Sequence, residues 1–332
     1  ADEPGIATDR VIMVAENVTS TISGVTIRYG NISGSGYPGA YGGGVLNKGS
    51  LTLDASKVVS NNGGYGGGIF TDHVITVTNS IVMSNTAEHS GAGIYNNSGQ
   101  VNYNAATIVS STLKGNVASS QGGGIYSYNY ANLKVSHATF EENVAGNGGG
   151  ITAYRYATTD ISDSVFRDNR AAVGGGIRND WGVLTVTNSL FDSNTADDVG
   201  GAINNADSDS SLSISGGDFR SNSAVYGGAI HNATAELRVF ESTFAENRAD
   251  YYGGGIYNTG HYVNHPLRIY DTTFYSNSCG LFGGGVYNTQ NGRAIITRST
   301  FESNQADNGG GIGSGQGTDV ELFNSTLSGN SA

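Results

Sequence analysis

Aromatic, guanidinium and carboxylate side chains gather between positions 126 and 181: Tyr126, Tyr128, Tyr130, Tyr154, Arg155, Tyr156, Arg178, Asp180 and Trp181. Aromatic faces stack on sugar rings, and Arg and Asp fix hydroxyls or uronate carboxylates by hydrogen bonds. The set is a candidate ligand surface on the loops of three consecutive repeats, with a surface glycan as expected partner. In the alternative, these loops fold on themselves and the tyrosines cover the sheet beside them. A polysaccharide lyase or hydrolase would need more: carboxylates for Ca²⁺ and a basic Arg or Lys to abstract a proton. Lys134, Asp160, Arg155 and Arg178 could be arranged that way. Lys134 and Asp160 fall in one outward column on adjacent repeats, however, where an ion pair is the simpler account.

The remaining reactive groups point to less chemistry. Cys279, the one cysteine, occupies a slot that other repeats fill with Ala, so it is expected to be a small buried residue. His261 and His265 precede Pro266 in a loop, with no third metal ligand suggested. Asp207 and Asp209 could hold Ca²⁺, but a D-x-D pair in a solvated loop is a weak signal. The Gly triplets open no helix and precede no Lys-Ser/Thr, so they are not phosphate loops. Sequons at Asn17, Asn31, Asn96, Asn232 and Asn324 are expected by chance in an Asn- and Ser-rich chain. No catalytic residue, metal or cofactor is assigned.

These residues hang on a repeat. A Gly-Gly-(Gly/Ala)-(Ile/Val) step, with one Gly-Ala-Gly variant, recurs from Val45 to Ile312 at intervals of 24 to 31 residues. An apolar anchor follows in each copy, from Ile27 through Phe140, Phe166 and Phe191 to Leu327. Five residues before the anchor the chain is again apolar; two before it is small, usually Ser; three after it is Asn from Asn61 to Asn330. Self-similarity at this period means a solenoid. The short alternating runs are strands, and Gly and Asn mark the turns. Three short strands per repeat, without a helical period, predict an all-β, single-stranded parallel β-helix of about twelve rungs. Stacked at the ~4.8 Å strand spacing, they would make a rod roughly 55 Å long. The Asn side chains are expected to form a ladder from rung to rung. The small residue is expected to leave room for the large anchor. One residue after the anchor, Lys114, Glu141, Arg167, Asp192 and Arg220 alternate in sign, which predicts exposed ion pairs between adjacent strands.

The motifs GGAI at 200–203 and 227–230, with FEEN at 140–143, FRDN at 166–169, FDSN at 191–194, FRSN at 219–222, FAEN at 244–247, FYSN at 274–277 and FESN at 301–304, carry a resemblance. They resemble the passenger repeats of chlamydial polymorphic membrane proteins and, more widely, secreted bacterial right-handed β-helix proteins. The resemblance covers about residues 20 to 332. It implies a right-handed, pectate-lyase-like solenoid and an extracellular or cell-surface location. Such repeats carry adhesins, surface proteins and some polysaccharide-degrading enzymes alike.

Composition narrows the partners. A net charge of −12, with 16 Lys and Arg against 28 Asp and Glu, disfavours nucleic acid and anionic membranes. No apolar run reaches the roughly 18 residues of a membrane span. The 52 Gly are phased with the repeat, which argues for one folded solenoid and against disorder. Residues 1–19 are expected to form an N-terminal cap or partial rung, and 20–332 the β-helix. The last residues stop where the next Gly triplet would begin. This leaves a cut from a longer protein, a capping neighbour, or end-to-end stacking into a filament. For stacking, the expected joint is Arg10, Val11, Ile12, Met13 and Val14 against Leu327, Asn330 and Ala332. The leading expectation is a non-enzymatic extracellular adhesive or structural protein. The alternative is a carbohydrate-active enzyme or glycan-binding module acting at 126–181.

Overall fold

One repeat shows how the sequence builds the fold. After the Gly triplet at 174–176 come the strands Ile177–Asp180, Val183–Thr187, Leu190–Asp192 and Thr195–Val199. In Val183–Thr187 the side chains alternate, so Leu184 and Val186 point inward and are buried. The corners need left-handed backbone, and Asn188, Ser193 and Gly200 supply it with φ of 46°, 57° and 67°. Only the first Gly of a triplet is needed for its φ. The third makes space: a Cβ on Gly255 or Gly285 would lie 3.0 or 2.9 Å from the ring of Phe274 or Phe301.

The structure, a computed structural model, describes residues 9–32, 39–98, 105–260 and 265–332. The described residues form β-strands and no helix, and successive turns pair in parallel as a β-solenoid. The chain divides into two compact units, residues 1–160 and 161–332.

In the first unit one sheet runs through Ile12–Val14, Val45–Asn47, Ile69–Thr71, Ile94–Asn97, Ile125–Tyr128 and Ile151–Tyr154. Ile12–Val14 is thus a paired strand of this first sheet. A second sheet runs from Thr19–Ser23 to Asn132–Ser136, and a third from Thr26–Arg28 to Thr139–Glu141. The second unit repeats the scheme. Its first sheet runs from Ile177–Asp180 to Ile312–Ser314, its second from Val183–Thr187 to Asp319–Phe323, and its third from Val165–Arg167 to Thr326–Ser328. The expectation of three strands per repeat falls one short. A fourth, bulged sheet of short strands follows the ladder Asn, as in Arg170–Val173, Thr195–Val199, Ser223–Tyr226, Arg248–Tyr252 and Ser278–Cys279.

The interior is ordered by column. In the second unit Phe166, Phe191, Phe219, Phe244, Phe274 and Phe301 stack face to face, centroids 4.7–4.8 Å apart. Beside them the expected Asn ladder runs from Asn169 to Asn330. Asn222 shows why it is stable. Its Oδ1 accepts from the backbone and side-chain nitrogens of Asn194 at 3.0 Å each. Its Nδ2 donates to the Phe191 carbonyl and to Asn247 Oδ1 at 2.9 Å each. Every polar atom of a fully buried amide is thereby satisfied. The small residue before the anchor does more than leave room. Ser189 Oγ accepts from the Ser164 nitrogen at 3.1 Å and donates to the Thr187 carbonyl at 2.8 Å, a hydroxyl ladder that size alone does not reveal.

Candidate functional site

The ligand candidates lie mostly on strands rather than loops. In the first unit Tyr126 stands on the outer side of Ile125–Tyr128, between inward Ile125 and Ser127. It is nevertheless 7 % exposed, because it belongs to an aromatic layer packed on the outside of the first sheet. Leu46, Phe70, Tyr95 and Tyr126 form the base of the layer, and Tyr41, Tyr65, Tyr128 and Tyr154 pack against it. Tyr95 meets Tyr126 edge-on at 5.0 Å, and Tyr128 stacks on Tyr126 and Tyr154 at 5.5 and 5.9 Å. Burial holds the Tyr95 hydroxyl well above its ordinary pKa. Tyr126 is therefore a supporting ring and not a contact surface.

Accessible chemistry sits one corner further on. Asn129 and Tyr130, and one repeat later Arg155 and Tyr156, have successive positive φ angles of 60°, 61°, 56° and 60°. Bulky residues take this conformation at a cost. Here the corners hydrogen-bond to each other, Asn129 N to the Tyr154 carbonyl at 3.1 Å and Tyr130 N to the Arg155 carbonyl at 2.9 Å. The result is a stacked pair, Tyr130 on Tyr156 at 5.1 Å, with both residues nearly half exposed at 46 and 47 %. Arg155 lies over the Tyr128 ring at 5.9 Å and donates from Nη1 to its hydroxyl at 2.7 Å, which holds the guanidinium above its ordinary pKa.

The remaining candidates belong to the second unit. Arg178 and Asp180 share the outer side of Ile177–Asp180, and Arg178 Nη2 donates to Asp180 Oδ2 at 2.6 Å. Burial nonetheless outweighs the guanidinium and raises the Asp180 carboxyl above the usual range. Trp181 follows at a corner with φ of 56°. Sequence reasoning missed a second aromatic layer here, formed by Tyr226, Tyr252, Tyr257, Phe282 and Tyr287 with centroids 5.3–6.0 Å apart. His231 stacks on Tyr257 at 5.2 Å and meets Asn204 Nδ2 at 2.8 Å through Nδ1. Burial lowers the pKa of His231 to about 4 and raises that of Tyr257 to about 12. The available signal was the pairing of YY or LF before the triplet with Tyr after it, at 251–257 and 281–287.

Two stretches of the chain, 110–128 and 241–259, match the Chlamydia polymorphic membrane protein (Chlamydia_PMP) repeat. Its repeats are similar to those of that family. No curated protein and no solved structure matches the chain. Each matched polymorphic membrane protein repeat runs from a third-sheet strand through a ladder Asn, Asn116 or Asn247, to a first-sheet strand bearing aromatic residues. The ends of the two matches thus include Tyr126 and Tyr128 of one outer layer, and Tyr252 and Tyr257 of the other.

The other candidates have structural partners or fall outside the described residues. Cys279 is buried between Ala249 and Ala306, its thiol raised in pKa by burial and directed at the Phe282 carbonyl. His261 lies outside the described residues, and among those described no group of three His, Cys, Asp or Glu is placed to hold a metal ion. Lys114 pairs with Glu141 at 2.9 Å and Arg167 with Asp192 at 3.2 Å, as the sign alternation predicts. Arg220 departs from that register and pairs with Asp218 on its own strand. The ion pairs of the first unit's described residues, Lys48–Glu16 and Lys114 with Glu141 and Glu142, leave out Lys134 and Asp160. Asn330 of the expected joint is the last member of the Asn ladder, accepting from Asn304 at 2.9 Å. Among the described residues no helix is long and apolar enough to cross a membrane.

Proposed function

We propose that this chain is a non-enzymatic β-solenoid displayed outside the cell or on its surface, acting as an adhesive scaffold. Its contact surface is the corner that bears Tyr130, Arg155 and Tyr156, and its partner is a surface glycan. The observation that carries the reading is the corner-to-corner ladder: strained backbone is held so that two stacked rings and a guanidinium stay accessible. The similarity to polymorphic membrane protein repeats supports the location. The test is binding of the full chain to glycan-coated surfaces, alongside a variant carrying both Tyr130→Ala and Tyr156→Ala. Loss of about tenfold in affinity with unchanged melting is expected, the scale of one or two lost stacking contacts. Unchanged binding would refute it.

A further inference from the structure

The fourth sheet of the second unit contains a break in rhythm. Between the ladder Asn and the next Gly, Thr195–Val199 and Arg248–Tyr252 each have five residues, but Ser223–Tyr226 between them has four. Pairing is kept at both ends of the short strand. Thr195 and Arg248 flank Ser223, and Val199 and Tyr252 flank Tyr226. On one neighbour Ala196, Asp197 and Asp198 therefore face Ala224 and Val225, and on the other Asp250 and Tyr251 face Val225 alone. This two-against-one arrangement is a β-bulge, which re-aims side chains and locally bends a sheet. Here it opens a groove of about 390 Å³ over Val225, rimmed by Thr195, Asp197, Ser223, Arg248 and Asp250.

The chemistry of the rim is unusual for this chain. Arg and acid two residues apart on one strand normally close on each other, as in Arg178–Asp180 at 2.6 Å, Arg238–Glu236 at 2.7 Å and Arg220–Asp218. Arg248 and Asp250 have the same spacing but form no ion pair among the described residues. Asp197 is neutralised by Arg170 at 2.9 Å. The groove thus offers one open carboxylate, one open guanidinium and the Thr195 and Ser223 hydroxyls, with balanced charge. Beside them the bulge turns out Tyr251, 47 % exposed, its ring backed by Tyr226 at 5.6 Å.

We propose that this groove is a binding subsite for a neutral oligosaccharide. Sugar hydroxyls donate to Asp250 and accept from Arg248, while a pyranose face lies on Tyr251. Uronate and sialylated chains are disfavoured by Asp198 beside the groove and by the net charge of −12. The site is separate from the Tyr130–Tyr156 corner and does not depend on that reading.

The test is an array of immobilised neutral, uronate and sialylated oligosaccharides, probed with the full chain and with Asp250→Ala, Tyr251→Ala and the Tyr130→Ala/Tyr156→Ala variant. Asp250 and Tyr251 are exposed, so both single variants are expected to melt with the wild type. Neutral glycans should bind, with affinity falling about tenfold or more in Asp250→Ala and in Tyr251→Ala, the scale of a lost charged hydrogen bond or ring contact. The corner variant should keep this binding. Absence of neutral-glycan binding, preference for acidic glycans, or binding unchanged in both groove variants would overturn the proposal. Loss of neutral-glycan binding in the corner variant alone would likewise overturn it and assign that binding to the adhesive corner.

Discussion

In residues 1–160 the inward anchor column is Ile27, Val58, Val82, Leu113 and Phe140, whereas in residues 161–332 it includes an unbroken stack of Phe166, Phe191, Phe219, Phe244, Phe274 and Phe301. A second polar column differs in the same direction. In the later unit Asn179, Asn205, Asn232, Asn258 and Asn288 form a complete amide ladder at 2.7–2.8 Å under the first sheet. In the earlier unit the same column holds Asn47, Thr71, Asn96, Ser127 and Ala153, joined by Asn47–Thr71 at 2.9 Å and Asn96–Ser127 at 3.3 Å. The comparison teaches that the fold specifies a bonding capacity at each column and not one residue. Both units also carry an aromatic layer outside, on Phe70, Tyr95 and Tyr126 in the first and on Tyr252, Tyr257 and Tyr287 in the second, so the difference is confined to the interior.

The strongest way to break the comparison is to interrupt each anchor column. Phe219→Ala should cost about 3–5 kcal/mol, and Leu113→Ala a smaller amount, about 2–4 kcal/mol, because the Phe loses stacked rings on both sides. Denaturant unfolding of the two variants measures the difference; equal losses would mean that stacking adds nothing beyond volume.

The ladders come next. Asn222→Ala removes the acceptor of two Asn194 nitrogens and a donor to the Phe191 carbonyl, and should cost about 2–4 kcal/mol, while Thr71→Val, which removes the link to Asn47 and the local bonds of Thr71 Oγ1 with the His73 carbonyl and nitrogen, should cost less, about 1–2 kcal/mol. Amide hydrogen exchange at Asn194 and its neighbours should rise in the first variant and stay near wild type around Asn47 in the second.

The smallest effect sharpens the contrast by pH. Burial lowers the folded pKa of His231 to about 4, from the 6.5 of an ordinary imidazole. Above pH 6.5 the ring is neutral in folded and unfolded chains, and its contribution is fully present. As pH falls from 6.5 towards 4 the unfolded chain takes up a proton that the folded chain refuses, so stability is lost, by about 1–2 kcal/mol for a half-buried ring. The advantage of wild type over His231→Asn in melting should therefore shrink as pH falls through that window and level off below it. A difference independent of pH would show that His231 acts by packing alone.

The legible part of the molecule was whatever repeats. The anchors, the Asn ladder after them and the Lys114–Glu141 and Arg167–Asp192 pairs follow from the period, because stacking in register puts equal positions in contact. The Ser column was read as small when its hydroxyl is the working group, since alternating strands give no hint of a bond to the next turn's backbone. The ligand cluster was read as loop because YSYNY and AYRY look irregular. In fact Tyr126, Tyr128 and Tyr154 are strand residues, and Tyr126 is covered by its neighbours. The groove over Val225 was countable in the sequence as five, four and five residues, but its meaning required knowing that pairing persists at both ends of the short strand.

By itself the sequence determined the parallel β-solenoid, the residues that face inward, and the Asn ladder. These depend on chain-local periodicity and on the identity of equivalent positions, which any stacked arrangement preserves. Tertiary structure alone decided which outward residues are covered and which are presented. Tyr126 and Tyr130 are both tyrosines four residues apart, yet one is buried under neighbouring rings and the other is stacked and exposed at a corner. That outcome depends on side chains brought over it from other turns and on the bulges between them, and no local pattern encodes either.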